Sequence, residues 1–196
     1  MLISTLQSGP GTPFGGVLAA RSGPGPGVGP GTGLVFLAFG DDAAALERSL
    51  VERFPDEAIE RRDDDPELLR VVDAARRYVE LAGSRNDAAR SESVFASIPV
   101  DLSRGTQFQQ RVWGALRAIP YGETRTYGRI AESIGMTKRS SRAVGAACGA
   151  NPIALVVPCH RAIGASGDLI GFAWGGVEMK RRLLEMESRE NSLFSP

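Results

Sequence analysis

Cys159 and His160 are neighbours in a chain that holds two cysteines and one histidine among 196 residues. They stand in Pro158-Cys159-His160-Arg161, which is entered from the apolar run Ile153-Ala-Leu-Val-Val157. A nucleophilic thiol needs a base or a cation beside it, because the thiolate is the reactive form and a free thiol is mostly protonated at neutral pH. The pairing therefore suits thiolate chemistry. Its plainer alternative is a buried cysteine at a strand end with an incidental histidine next to it.

Composition removes other classes. Two cysteines make no disulfide framework, and no Cys-x-x-Cys pair occurs. A structural zinc site takes four Cys or His ligands, whereas Cys148, Cys159 and His160 make three, two of them adjacent. No metal and no cofactor are expected. No stretch is apolar for long enough to span a bilayer, and the N-terminus lacks the basic region, apolar core and cleavage site of a signal peptide. A reduced, cytoplasmic setting is the expectation, without a membrane partner. The net charge of +0 conceals an asymmetry: residues 1–101 carry 16 acidic and 10 basic side chains, and 102–196 carry 7 and 13. The basic half suits a polyanion partner, against the alternative of an uneven distribution over one globule.

The elements that must position Cys159 divide the chain in two. Residues 9–33 hold 15 glycines and prolines in 25 positions, and 1–33 read as a mobile leader or a degenerate hairpin. Leu34-Val-Phe-Leu-Ala-Phe39 reads as a buried strand. Asp41-Asp42 can cap a helix with Ala44, Leu46, Leu50, Val51 and Phe54 on one side. Pro66 opens a second helix with Leu68, Leu69, Val72, Ala75, Val79 and Ala82 on its apolar face. Ile98, Val100 and Leu102 alternate as a short strand, which completes an α/β unit over 34–103 with no chemistry of its own.

From Arg104 the pattern becomes short helices with sharp stops. Thr106 and Gln109 form a capping box before Phe108, Val112, Trp113, Leu116 and Ile119. Thr126 caps a helix from Tyr127 to Ile134 that Gly135 ends, and Ser140 or Ser141 caps another from Arg142 to Ala150 that Asn151-Pro152 stops. Helix-turn-helix units of this kind read DNA or merely pack. The last helix offers Arg142 and then almost only small residues, so it cannot spell out a base sequence in the major groove. It can approach a backbone closely, or pack tightly on a neighbouring helix.

Taken with these motifs, the segment from Arg104 to Glu187 resembles the O6-alkylguanine-DNA alkyltransferases, or methylated-DNA–protein-cysteine methyltransferases. The stretches that carry the resemblance are Gly105-Thr-Gln-Phe-Gln-Gln-Arg-Val-Trp113, Ile119-Pro-Tyr-Gly-Glu-Thr124, Tyr127, Arg142-Ala-Val-Gly-Ala-Ala-Cys-Gly-Ala-Asn151-Pro152, Val157-Pro-Cys-His-Arg161 and Gly171-Phe-Ala-Trp-Gly175. It implies an α+β fold: a small N-terminal α/β, ribonuclease-H-like subdomain over 34–103, a mainly helical, winged-helix-like DNA-binding domain over 104–189, and a tail at 190–196. It also implies direct repair, in which the alkyl group of O6-alkylguanine, and in some cases O4-alkylthymine, moves irreversibly to Cys159. His160 would act on the thiol through a bridging water, with Glu187 orienting the ring. Adjacent side chains of an extended segment face opposite ways, so direct Cys159–His160 contact is not the expected geometry.

By the same resemblance Asn151 braces the turn before Cys159, and Tyr127 donates its hydroxyl toward the base or its phosphate. Arg142 fills the duplex when the nucleotide is extruded, and Thr126, Ala143 and Gly145 join it on DNA, with the small-faced helix in the minor groove. Cys148, Ala162, Phe172 and Ala173 are implied for the substrate pocket, Ala162 and Ala173 through backbone groups alone. Phe172 stands where many members carry tyrosine. The expected partner is double-stranded DNA bound by a monomer, nucleoid-associated when engaged. The competing reading is a non-catalytic relative that only binds alkylated DNA, and Cys159 itself speaks against it.

Overall fold

The computed structural model describes residues 2–6, 16–22, 33–81 and 93–188. Strands β1 (Leu2–Leu6), β2 (Gly16–Ser22), β3 (Gly33–Gly40) and β4 (Glu60–Arg61) form one sheet in the order β3-β2-β1-β4. β1 and β3 run antiparallel to β2, and β4 runs parallel to β1. Helix α1 (Ala43–Arg53) starts at Asp42, whose carboxylate accepts from Ala45 N, and buries Leu46 and Leu50. Helix α2 (Pro66–Leu81) starts behind Asp65. That carboxylate accepts from the backbone of Glu67 and Leu68 and is paired by Arg21 of β2 at 2.6 Å, which ties the helix start to the sheet. Leu68, Val71, Val72, Ala75 and Tyr78 are buried in α2. Truncating a fully buried leucine such as Leu68 costs about 2–5 kcal/mol.

Three expectations change here. Residues 1–33 take the hairpin reading over the leader: β1 and β2 within them pair antiparallel, and Leu18, Ala19 and Ala20 are fully buried. Averaging glycine and proline over a long window hid Val17-Leu-Ala-Ala20, four residues that suffice for a central strand. The run Gly23–Gly31 and the tail 190–196 lie outside the described residues, as does Ala82. Val51 and Leu69 are exposed, because the apolar faces of α1 and α2 are narrower than their sequences suggest. The supposed strand over 98–102 reduces to one bridge between Leu34 and Val100.

The edge of β3 joins the two halves of the molecule. Its apolar run is buried on both faces. Toward the C-terminal half, Leu37 N donates to Pro152 O at 3.0 Å and Ala154 N donates to Leu37 O at 2.8 Å. The strand thus hydrogen-bonds the segment that leads into Pro158-Cys159. Helix α3 (Gln107–Arg117) has the capping box of Thr106 and Gln109 and buries Val112, Trp113 and Leu116. Helix α4 (Tyr127–Ser133), capped by Thr126, leads through Gly135 at φ 75° and a 3₁₀ turn at Lys138–Ser140 to α5 (Ser141–Gly149). Neither Ser140 nor Ser141 caps α5 with its side chain, since the 3₁₀ turn feeds straight into the helix. Trp113 Nε1 donates to Ala147 O at 2.9 Å and locks α3 to α5. A short parallel pair, β5 (Arg125–Thr126) and β6 (Ala162–Ile163), and the closing helix α6 (Gly176–Ser188) complete the fold.

Candidate active site

Cys159, His160 and Arg161 form a 3₁₀ turn, not an extended segment. The turn is reached through Leu155, the one non-glycine residue with positive φ (65°) among the described residues. Asn151, fully buried, organises it. Its Nδ2 donates to Val157 O at 2.9 Å and to Cys159 Sγ at 3.1 Å, while its Oδ1 accepts from Ile153 N at 3.0 Å. Burial pushes the Cys159 thiol above its ordinary pKa, opposed by the Asn151 amide and by the charges of Lys180 and Arg53. The resting group is a thiol that needs a proton acceptor.

His160 follows it in the same turn. Its ring is fully buried, with Nε2 2.7 Å from Glu187 Oε1. Burial lowers the His160 pKa, and the Glu187 charge only partly opposes this. Burial raises Glu187 in turn, but His160 and the Arg161 guanidinium outweigh it and bring the carboxyl down to about 2. A carboxylate only accepts, so Nε2 carries the proton and Nδ1 keeps its lone pair. Nδ1 is buried without a hydrogen-bond partner among the described residues. Arg161 Nε lies 3.0 Å from Glu187 Oε2, and its NH1 donates to Ile119 O at 2.6 Å. Gly122 N also donates to Glu187 Oε2, at 3.1 Å.

The thiol opens on a cleft of about 950 Å³ whose wall includes Cys159, Thr126, Tyr127, Arg142, Gly145, Cys148, Phe172 and Ala173. Tyr127 donates its hydroxyl to Ile170 O at 3.0 Å and accepts from Lys180 Nζ at 3.2 Å. Burial raises both nearby acids, Tyr127 and Cys148, to about 12, so neither ionises at neutral pH. Phe172 stacks edge-on to His160 at 6.4 Å and lies against Phe39 of β3. On α5, Val144, Ala147 and Cys148 face inward, whereas Arg142, Ala143, Ala146 and Gly149 are exposed. A Cβ added at Gly145 or Gly149 would meet nothing within 4 Å. The small residues are therefore not required by packing inside the chain.

The family model described as 6-O-methylguanine DNA methyltransferase, DNA binding domain, matches residues 107–189. A Mycobacterium bovis methylated-DNA–protein-cysteine methyltransferase is 62% identical over 90 residues, 46% of this chain and 53% of that protein. The chain thus spans about half the length of that curated relative. A Methanosarcina acetivorans protein of the same name is 53% identical over 108 residues, 53% of this chain and 68% of its own length. The crystal structure of Mycobacterium tuberculosis OGT in complex with DNA superposes with a TM-score of 0.67 and 38% identity, covering 97% of this chain and 94% of that one.

The chain belongs to the methylated-DNA–protein-cysteine methyltransferase family. Its mixed α and β architecture is that of the OGT structures.

In this methyltransferase-family chain the tertiary structure sets two hydrogen-bonded pairs, Asn151–Cys159 and His160–Glu187, side by side through the 3₁₀ turn. Thr126, Tyr127, Arg142, Gly145, Cys148, Phe172 and Ala173 line the cleft beside it. Ala162 is fully buried in β6, which pairs with β5, and Ala143 is exposed on α5; neither is among the residues of the cleft wall. The α/β unit is also not a bystander. Arg53 of α1 donates to Ala150 O at 3.1 Å and stacks over Trp174 at 5.0 Å, and Tyr78 of α2 donates to Glu187.

Sequence reasoning missed Tyr78, Lys180 and Arg161 as parts of the site. A lysine three residues before the buried Leu183 on an amphipathic helix gives a weak signal, since Leu183 and Glu187 share its face at helical spacing. Nothing local to α2 marks Tyr78. Among the described residues no helix is long and apolar enough to cross a membrane, and no cluster of three metal-ligating side chains occurs.

Proposed function

We propose that this chain repairs O6-alkylguanine in double-stranded DNA by taking the alkyl group onto Cys159, once per molecule. The observation that supports it most directly is the Cys159 thiol on the wall of the cleft, hydrogen-bonded by Asn151 and adjoining the His160–Glu187 pair. The thiol proton passes to His160 Nδ1 through a water, and Glu187 stabilises the imidazolium that results. The sulfur attacks the alkyl carbon in line; the S–C bond forms as the C–O6 bond breaks, and its electron pair passes into the purine. The purine takes up one proton, so that a thiol and an O6-alkylguanine become a thioether and guanine. Tyr127, which titrates only near 12, offers its hydroxyl hydrogen to the departing base once the bond to Ile170 O is exchanged. Nothing in the cleft is suited to cleave a thioether, which makes each chain react once.

DNA is held by the basic C-terminal half as a winged-helix-like unit, with α5 in the minor groove and the damaged nucleotide turned out into the cleft. The exposed small face of α5 and the cleft position of Arg142 support this placement. The N-terminal sheet and helices act as a ribonuclease-H-like brace, and the working species is a monomer. O4-alkylthymine is the second candidate substrate, since its alkyl oxygen occupies a similar position on the ring.

Intact-protein mass spectrometry after incubation with O6-methylguanine duplex tests the reading. One methyl should appear per chain, located at Cys159 by peptide mapping and absent from Cys159→Ala. Binding without any mass change would instead support the non-catalytic reading, and repeated turnover would support a hydrolase.

A further inference from the structure

Tyr78 belongs to α2, in the half of the molecule whose sequence shows no chemistry, yet its side chain ends inside the relay. It is 2% exposed, donates its hydroxyl to Glu187 Oε1, and lies 3.5 Å from His160 Nε2. Phe95 and Tyr121 hold the ring at centroid distances of 5.6 and 6.1 Å. Burial, reinforced by the Glu187 charge, keeps the phenol well above its ordinary pKa, so it serves only as a neutral donor. Glu187 Oε1 therefore shares its charge among Tyr78, His160 and Arg161.

We infer that Tyr78 is a positioning residue which sets the basicity of His160 by drawing off part of the Glu187 charge. The inference rests on the relay of Cys159, His160 and Glu187 described under the proposed function and adds a fourth residue to it. Hydrogen bonds to a carboxylate stabilise the ionised form and weaken its pull on a neighbouring cation. With the phenol in place, the imidazole stays neutral and Nδ1 stays open for the thiol proton. The other charged or titratable groups facing the pair are Arg161, Lys180, Tyr121 and Cys159; Arg161 and Cys159 are both held above their ordinary values, away from the range where histidine titrates. The arrangement makes the N-terminal subdomain a contributor to reactivity as well as to stability.

Because His160 is the only histidine in the chain, its titration is readable by imidazole NMR in untagged protein without assignment. Tyr78→Phe removes the donor and keeps the ring; the Glu187 charge then acts more fully on the imidazole, and the His160 pKa should rise by roughly one unit. A fluorinated tyrosine incorporated at position 78 is a stronger donor of nearly the same shape and should move it down. In single-turnover alkyl transfer the acid limb should follow each shift. An unmoved His160 titration in both variants would overturn the inference, as would a lower plateau with an unmoved limb. Should Tyr78→Phe fail to fold, the fluorinated protein decides. Failure of the wild-type chain to take up a methyl would count against the parent reading, while the NMR titration would still judge this one.

Discussion

Asn151 Nδ2 stands 3.1 Å from Cys159 Sγ and 2.9 Å from Val157 O, so one buried amide both closes the turn and presents a proton to the thiol. The same side chain accepts from Ile153 N, in the segment that Leu37 of β3 holds through Pro152 and Ala154. Asn151→Ala removes three hydrogen bonds and leaves Ile153 N without its acceptor, while Val157 O keeps the Cys159 N donor; it should destabilise the fold by about 2–4 kcal/mol, judged by denaturant unfolding. Asn151→Asp keeps the size but sets a negative charge against the developing thiolate. It should slow alkyl transfer more than it lowers stability; equal losses would show the amide to be purely structural.

Acidification should weaken the fold in two stages. His160 titrates lower in the folded chain than its ordinary value of 6.5, so below that value the unfolded chain binds the extra proton and stability falls. Glu187 is depressed from 4.5 to about 2, so its contribution is whole above 4.5 and is lost between 4.5 and about 2. Urea midpoints measured across this range should show both slopes. Glu187→Gln should make the lower one shallower, leaving the part that Asp65 and Asp101 contribute.

Arg142 is exposed at the mouth of the cleft and has no ion-pair partner among the described residues. A residue that fills a vacated base stack matters only when there is a stack to fill. Arg142→Ala should slow repair of duplex substrate by one to two orders of magnitude, about the few kcal/mol that unstacking costs. Reaction with free O6-alkylguanine should stay near the wild-type rate. Equal slowing of both would assign Arg142 to the fold or the chemistry instead.

Gly145 lines the cleft with nothing within 4 Å of where a Cβ would stand, and the neighbouring Ala146 is exposed. Ala146→Glu should leave the thermal midpoint nearly unchanged while weakening duplex binding several-fold. Wild-type affinity should fall as salt rises, since phosphate contacts release counterions, with little preference among undamaged sequences. A strong sequence preference would contradict the small-residue face of α5.

Lys180 is fully buried without a carboxylate among its hydrogen-bond partners; its ammonium is met by Tyr127 Oη and by the carbonyls of Ile170 and Gly171. Burial lowers its pKa accordingly. Replacing such a charge by an apolar side chain of similar length is often neutral or stabilising. Lys180→Met should therefore keep or raise the thermal midpoint while slowing transfer, because Tyr127 loses the donor that fixes its hydroxyl. A large fall in the midpoint would make Lys180 a structural residue.

The chemistry was legible in the sequence because it sits in short runs. Cys159 and His160 are adjacent and the caps at Thr106 and Thr126 act within a turn, so local rules suffice, while the place of Asn151 came from the family resemblance. What lay beyond local rules was settled by contacts between distant residues. The pairing of Tyr78 with Glu187 spans 109 positions and depends on α2 meeting α6, which no periodicity in either helix encodes. The same holds for β2, a strand in a glycine-rich region that becomes buried only because β1 and β3 flank it. Motif and capping are properties of neighbouring residues, and the sequence determined them. Burial, and with it the protonation of Cys159, His160, Lys180 and Glu187, depends on what the rest of the chain places around each group, and only the tertiary structure decided that.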